Sequence, residues 1–328
     1  MIMNKHVIFL RKKIEGENSI EEVAYHVAES TGAIVKVLPF SSTTIRGMKK
    51  NIDFAKKEQG EVNHIIAQTE SYIAPFLHGK KIITFHDFET LYASRNLIYK
   101  VLKILFYVKS AEYFADVITF VSKQTKEEFK KQQWNKRKKL QVIYNTYDAR
   151  LICNDKSSCE ILPIVLQIGT GKRKNLESTI QAMIGLNAKL LIIGKLHENQ
   201  IRLLNENNIL YENYFDVSFE KIVESYNRAK IVVFPTFYEG FGLPIIEAQV
   251  MQKPIVASDL SIVKEVGGNG VFYINPNDVE SIKKAIHSLL ENQDLYQRYV
   301  FSGIENAKRF SSESIYEQYQ NLYRSLEK

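Results

Sequence analysis

The chain has 328 residues, 45% hydrophobic and 25% charged, an ordinary globular composition that excludes a disordered or fibrous protein. Its length fits one large domain or, more naturally, two of about 150 residues each. The net charge of +7 is uneven: residues 1–150 carry 25 Lys and Arg against 16 Asp and Glu, and the remainder carries 19 against 21. An anionic partner is therefore expected for the first half: a membrane surface, a phosphorylated acceptor or nucleic acid. Nucleic acid ranks last, because no RNA- or DNA-binding signature accompanies the aromatic residues. The two cysteines, Cys153 and Cys159, form no CxxC and join no His cluster, which argues for a reducing cytoplasm and against a zinc site or a disulfide framework. No signal peptide precedes the first strand and no run of eighteen apolar residues occurs, so no membrane span is expected.

In chain order, residues 5–10 read as a strand and 19–30 as a helix, with Ile20, Val23, Ala24, Val27 and Ala28 at helical spacing. The turn between them holds Gly16-Glu17-Asn18. Strands are expected over 33–40 and 62–68, with a helix or loop around 49–58 between them. Residues 81–85 form a strand ending at His86-Asp87. In open α/β sheets ligands gather at such carboxyl ends, yet a His there is as readily structural as functional, and Asp87 reads as structural. Residues 96–109 (NLIYKVLKILFYVK) are a helix with a broad apolar face of Leu97, Ile98, Val101, Leu102, Leu105 and Val108, while Lys100, Lys103 and Lys109 fall elsewhere. Two readings stand: an interfacial helix dipping into an anionic bilayer, or a helix of the first core. A strand at 117–121, Ser122 as a helix cap, a helix over 124–132, a basic loop at 135–139 and a strand at 140–144 follow. Residues 147–162, polar and holding both cysteines, are the expected linker.

The second half opens with a strand at 164–168. Gly169-Thr170-Gly171-Lys172-Arg173-Lys174-Asn175 comes next, then a helix over 176–184. Flexible glycines beside three cations, before a helix, suit a diphosphate, though the pattern also fits a solvated loop. Strands at 189–193 and 210–215 and a helix at 218–229 lead to the stretch that organises the chain. There, Ile231-Val232-Val233-Phe234 is a buried parallel strand, which Pro235 ends. Thr236-Phe237-Tyr238-Glu239-Gly240-Phe241-Gly242-Leu243 forms a loop whose glycines allow close backbone approach. Pro244 suits a first helical turn, and Ile245-Ile246-Glu247-Ala248 continues the helix. The helix start offers free N–H groups to an anion. Glu239 in the loop and Glu247 one turn into the helix can approach one ligand from two sides. A strand at 254–258, a loop at 265–268 and helices at 279–290 and 312–326 complete the chain, which alternates in the α/β manner.

Glu239-Gly240-Phe241-Gly242-Leu243-Pro244 followed by Glu247 resembles the E-x7-E signature of retaining glycosyltransferases of the GT-B fold, the family that includes sucrose synthase and bacterial polysaccharide mannosyltransferases. The stretch 169–176 resembles the donor loop of that family, one residue shorter and with Thr170 where many relatives carry Arg. The strand-end His86 resembles the family's His near the transferred sugar, and Val142-Ile143-Tyr144-Asn145 resembles the motif that closes the first domain. The first turn holds one glycine where relatives are often glycine-rich, so no phosphate-binding role carries over to it. Tyr214-Phe215 corresponds to a turn near the nucleotide base, where stacking and packing are both open.

The resemblance implies an α/β protein of GT-B type, two Rossmann-like domains with parallel sheets facing a cleft. The implied division is an acceptor domain over 1–150, a nucleotide-sugar domain over 160–305 and a C-terminal helix, 306–328, returning to the first domain. It implies a hexosyltransferase of cell-surface polysaccharide synthesis, moving a hexose from a UDP- or GDP-linked donor to a glycan or polyprenyl-linked acceptor with retention. Glu239 would hold the hexose, Glu247 the ribose, and Arg173 and Lys174 the diphosphate, with His86 positioning sugar or acceptor. Gly169, Thr170, Gly240, Phe241, Gly242 and Leu243 complete the donor site. No cofactor and no metal are expected, since no Asp-x-Asp motif occurs. The expected location is cytoplasmic, on the inner face of the plasma membrane if the 96–109 helix binds lipid. The rivals are a sugar-nucleotide epimerase of the same fold, which consumes donor without acceptor, and a non-catalytic sugar-nucleotide-binding subunit, in which Lys174→Ala would be silent. A NAD-dependent dehydrogenase is poorer, because no GxGxxG follows the first strand.

Overall fold

The computed structural model describes residues 5–13, 19–89, 101–134, 139–151, 153 and 160–327. The chain divides into two compact units, one of residues 1–146 with 312–328 and one of residues 147–311. The sequence expectations for the turn 16–18, the first half of the 96–109 helix, the loop 135–138 and most of the linker with Cys159 fall outside the described residues.

The first unit is a parallel sheet of six strands: β1 (His6–Leu10), β2 (Ile34–Val37), β3 (Val62–Ile65), β4 (Lys80–Phe85), β5 (Val117–Phe120) and β6 (Lys139–Val142). They lie in the order β2-β1-β3-β4-β5-β6. The apolar runs make buried strands because both sheet faces are covered, one by the 312–326 helix and α1 (Ser19–Thr31). Ile315, Tyr319, Leu322 and Tyr323 of the former pack with Val23, Ala24 and Val27 of α1 and with Ile8 and Leu10. On the opposite face Val7, Phe9, Ile65, Ile83, Phe85, Phe120 and Phe129 form a second core. His64 is fully buried on the face covered by the 312–326 helix, with Tyr323 OH 2.8 Å from Nδ1 and Thr84 Oγ1 2.6 Å from Nε2. Burial pushes its imidazole down to about 3, so it stands neutral in this chain of hydroxyls. Ser122 caps the following helix by accepting the Thr125 amide, as its position before that helix predicts.

The helix expected at 96–109 is described from Val101 onward, and it departs from the reading in two ways. Ile104–Lys109 form a π-helical segment, which widens the turn and rotates the residues after it. Val101, Leu102, Leu105 and Phe106 face outward, each more than 40% exposed, whereas Val108 is fully buried and Ile104 packs on the core. Lys109, expected off the apolar face, is buried in an ion pair with Glu112. Among the described residues no helix is long and apolar enough to cross a membrane.

The second unit repeats the plan with β7 (Ile164–Ile168), β8 (Lys189–Ile193), β9 (Tyr211–Tyr214), β10 (Ile231–Phe234), β11 (Ile255–Ser258) and β12 (Val271–Ile274), ordered β12-β11-β10-β7-β8-β9, all parallel. Residues 265–267, expected in a loop, close the helix Ser261–Gly267, and Gly268 begins a short 3-10 turn. The apolar Ile262, Val263 and Val266 drive that helix into the core. The helices Glu198–Glu206 and Gln293–Ala307 and the strand β12 lie beyond the sequence reading. The first two are mostly polar, and a four-residue strand gives periodicity little to act on.

Candidate active site

In the second sheet, β7 leads outward through β8 to β9, and β10 returns to the other side of β7. The switch point therefore lies between β7 and β10, where the loops leaving the two strands splay apart and leave a crevice for a ligand. These are the loops that begin at Gly169 and at Pro235, the two stretches on which the sequence reading rests. The topology thus brings together segments some 65 residues apart in sequence.

The first loop closes as a single 3-10 turn, Lys172–Lys174, on which all three cations sit. Gly169 has φ +96°, and a Cβ there would lie 2.8 Å from Lys174 Cγ. Glycine is required twice over: for the left-handed backbone, and to let the Lys174 stem cross it. The Phe237 amide donates to the Arg173 carbonyl at 2.8 Å, with Thr236 Oγ1 3.0 Å from the same oxygen, and laces this turn to the second loop. Thr170, which replaces the Arg of many relatives, commits its hydroxyl to the Lys195 carbonyl at 2.6 Å.

The second loop ends at Gly242, whose φ of +94° makes it the N-cap of the helix Leu243–Val250, with Pro244 in the first turn as expected. Phe241 is buried edge-to-face on Phe310, ring centroids 5.7 Å apart. Its ring is spent on packing, so a donor contact from Phe241 is a backbone contact.

Lys174 reaches across the crevice, and its Nζ lies 2.6 Å from Glu239 Oε1. The ammonium also sits 4.6 Å from the centre of the Phe234 ring. Glu239 is 6% exposed and takes a second hydrogen bond from Thr236 Oγ1, at 2.9 Å. Thr236 is itself fixed by Ser258, whose hydroxyl donates to its carbonyl at 2.6 Å. Glu247, partly buried on the helix, accepts from Tyr226 OH at 2.7 Å. Burial holds its carboxyl above the usual range; the Tyr226 hydrogen bond and Lys174 oppose that shift, and Asp148 adds to it. The arrangement is a cation pinned between a buried carboxylate and an aromatic face, beside a helix start and a second carboxylate. It can draw an anionic leaving group to Lys174 while the carboxylates accept from hydroxyls.

Among the expected site residues, Lys174, Arg173, Glu239, Gly240, Gly242, Leu243 and Glu247 gather around this crevice with Gly169. His86 belongs to the first unit. There it is buried at the end of β4, with Nε2 donating to the Ile66 carbonyl at 2.7 Å and its amide donating to Gln68 Oε1 at 3.2 Å. Burial lowers its pKa to about 4, with Arg11 also pushing it down and the Ile66 bond opposing, so it is neutral and Nδ1 is left as an acceptor. Tyr214 bonds Glu212 and lies beneath Lys221, while Phe215 is exposed. Thr236 and Tyr226 are the members that sequence reasoning missed. Thr236 stands next to Pro235 at a strand end and was findable as such; nothing in its own helix marks Tyr226.

The fold is that of a GT-B protein. Residues 157–308 match the family described as glycosyl transferases group 1. The chain is similar to the O-antigen chain mannosyltransferase RfbU of Salmonella typhimurium, 28% identical over 72% of this chain and 68% of that protein. It is also similar to the O-antigen chain mannosyltransferase B of Escherichia coli, 31% identical over 52% and 51% of the two chains, so it spans about half the length of the latter. Among solved structures, sucrose-phosphate synthase from Thermosynechococcus elongatus superposes with a TM-score of 0.81 at 18% identity, over 98% of this chain and 99% of that one. Anabaena HepE in complex with UDP and glucose gives 0.83 at 14% identity, over 98% and 100%.

Proposed function

We propose that the chain is a retaining hexosyltransferase of bacterial cell-surface polysaccharide synthesis, moving a hexose from a nucleoside diphosphate sugar to a hydroxyl of a glycan or lipid-linked glycan. The observation that carries this reading is the Lys174–Glu239 pair, with Glu247 beside it, at the switch point of the second sheet. The O-antigen mannosyltransferases make mannose the first sugar to test, and the HepE complexes make UDP the first nucleotide, with GDP beside it.

In this mechanism the bond between the anomeric carbon and the β-phosphate oxygen breaks, and the acceptor oxygen bonds to that carbon on the same face. The acceptor proton passes to the departing phosphate, so no side-chain base is needed. Lys174, Arg173 and the N-terminus of the Leu243–Val250 helix stabilise the charge growing on the diphosphate. These cations take the place of a divalent ion. Glu239 accepts from hexose hydroxyls and Glu247 from ribose hydroxyls. His86, neutral and with Nδ1 as acceptor, orients a hydroxyl of the sugar or the acceptor.

A thermal-shift panel of UDP, GDP, ADP and CMP tests the donor site, because a ligand that binds only the folded chain raises its stability by mass action. One nucleoside diphosphate is expected to stabilise the wild type and to lose that effect in Glu247→Ala. No shift with any of them would refute the donor site.

The outward face of Val101, Leu102, Leu105 and Phe106 also supports peripheral binding of the basic first unit to an anionic bilayer, at the inner face of the membrane where a lipid-linked acceptor lies. Flotation with phosphatidylglycerol vesicles is expected to recover the protein at low salt and to lose it at high salt; no binding at low salt rejects the membrane reading.

A further inference from the structure

We propose that Tyr226 is a positioning residue for the donor: its hydroxyl holds one oxygen of Glu247 and thereby presents the other to the ribose. This rests on the donor-site reading above and deepens it. The geometry is specific. Tyr226 sits on the helix Phe219–Arg228, fully buried, and its OH lies 2.7 Å from Glu247 Oε2. Glu247 sits one turn into a different helix, so the bond ties two elements that border the β7–β10 crevice. A carboxylate can only accept, so the phenol donates. Engaging Oε2 fixes the plane of the carboxylate and leaves Oε1 for a ligand hydroxyl.

Burial, with the facing carboxylate second, pushes the Tyr226 phenol well above its ordinary range, so it remains a donor at every working pH. The charged and titratable groups acting on Glu247 come from three other elements. Lys174, on the turn after β7, favours its ionised form. Asp148, from the start of the unit, disfavours it. Tyr226 itself favours it by its hydrogen bond, against the desolvation that raises the carboxyl. Removing the hydroxyl therefore leaves Glu247 harder to ionise as well as less well oriented.

The sign of the pH effect follows. A ribose hydroxyl donates to an ionised carboxylate, so nucleotide binding strengthens as pH rises through the Glu247 pKa. Tyr226→Phe moves that rise to higher pH. The ring stays in its pocket in this variant, so the fold is kept and only one hydroxyl is lost.

The test is the affinity for UDP and for GDP, measured by titration calorimetry between pH 5 and 9, of wild type, Tyr226→Phe, Glu247→Gln and the double variant. Tyr226→Phe is expected to bind about tenfold more weakly near neutrality, the fold-change of one hydrogen bond to a charged group, and to recover part of this at high pH. Tyr226→Phe added to Glu247→Gln is expected to have much less effect, because the two residues act through one interaction. A loss that is equal at every pH, or that adds fully to Glu247→Gln, would make Tyr226 a packing residue and overturn the proposal. If wild type binds neither nucleotide, the donor-site reading fails and this inference with it; if wild type binds and Tyr226→Phe matches it throughout, the inference alone fails.

Discussion

Lys174→Ala is expected to lower kcat/KM for sugar transfer by roughly a hundred- to a thousandfold, the range set by removing one preorganised electrostatic partner of a developing anion. In the free protein the Nζ group neutralises Glu239 at 2.6 Å. Under the proposed mechanism the same group faces the leaving phosphate, so donor binding would draw it away from the carboxylate or share it. The alanine variant loses both roles and leaves Glu239 buried beside the Thr236 hydroxyl. Nucleoside diphosphate affinity is expected to fall with it. Glu239→Gln is expected to behave oppositely in binding: Lys174 is no longer held by a formal charge, so the nucleoside diphosphate binds as tightly as before or more tightly, while transfer is lost with the hexose contact. Calorimetric titration and initial rates on the two variants check this crossing. If Glu239→Gln weakens the nucleotide as much as Lys174→Ala does, the pair is a structural unit with no division of labour between phosphate and sugar.

Much of this site was legible because its chemistry is written in short local patterns. Gly169 to Asn175 and Glu239 to Glu247 each carry glycines at the positions where the backbone turns left-handed or a side chain must cross, and those constraints are properties of the local chain. The strand runs were equally plain, since a parallel sheet buried on both faces is apolar along its length. The missing parts were products of tertiary structure. Tyr226 meets Glu247 across 21 residues, and its helix would read the same with a phenylalanine there. Phe241 looked like a member of the donor loop, but its ring found Phe310. The 101–109 segment shows the same limit from the other side. An apolar helix with lysines fits a core or a bilayer equally, and the widened Ile104–Lys109 turn decided which residues went outward. Periodicity at 3.6 residues per turn put Val108 on one face with Val101, Leu102 and Leu105 and left Lys109 off it; in the structure Val108 turns into the core, those three face outward and Lys109 is buried, because the chain does not keep that period there.

Lys109 leads to the second large effect. Its ammonium is 5% exposed and lies 2.8 Å from Glu112 Oε2, 2.7 Å from the Gln132 carbonyl and 3.8 Å from the centre of the Trp134 ring. Glu112 is fully buried and also accepts the Trp134 amide, at 2.6 Å. Breaking such a pair from one side leaves an uncompensated buried charge, so Glu112→Ala is expected to cost about 3–5 kcal/mol. In a unit of this size that lowers Tm by about 10 °C. Lys109→Met with Glu112→Leu is expected to recover much of the loss, because a buried ion pair replaced by apolar groups of similar volume is often neutral. The pair also anchors the π-helical turn whose outer side carries Leu105 and Phe106, with Val101 and Leu102 just before it. Stability and vesicle binding should therefore move together: Glu112→Ala loses both, and the double variant regains both, while nucleotide affinity in the second unit stays unchanged. If the double variant regains Tm but still fails to float with anionic vesicles, the exposed apolar face is not what holds the protein to the lipid.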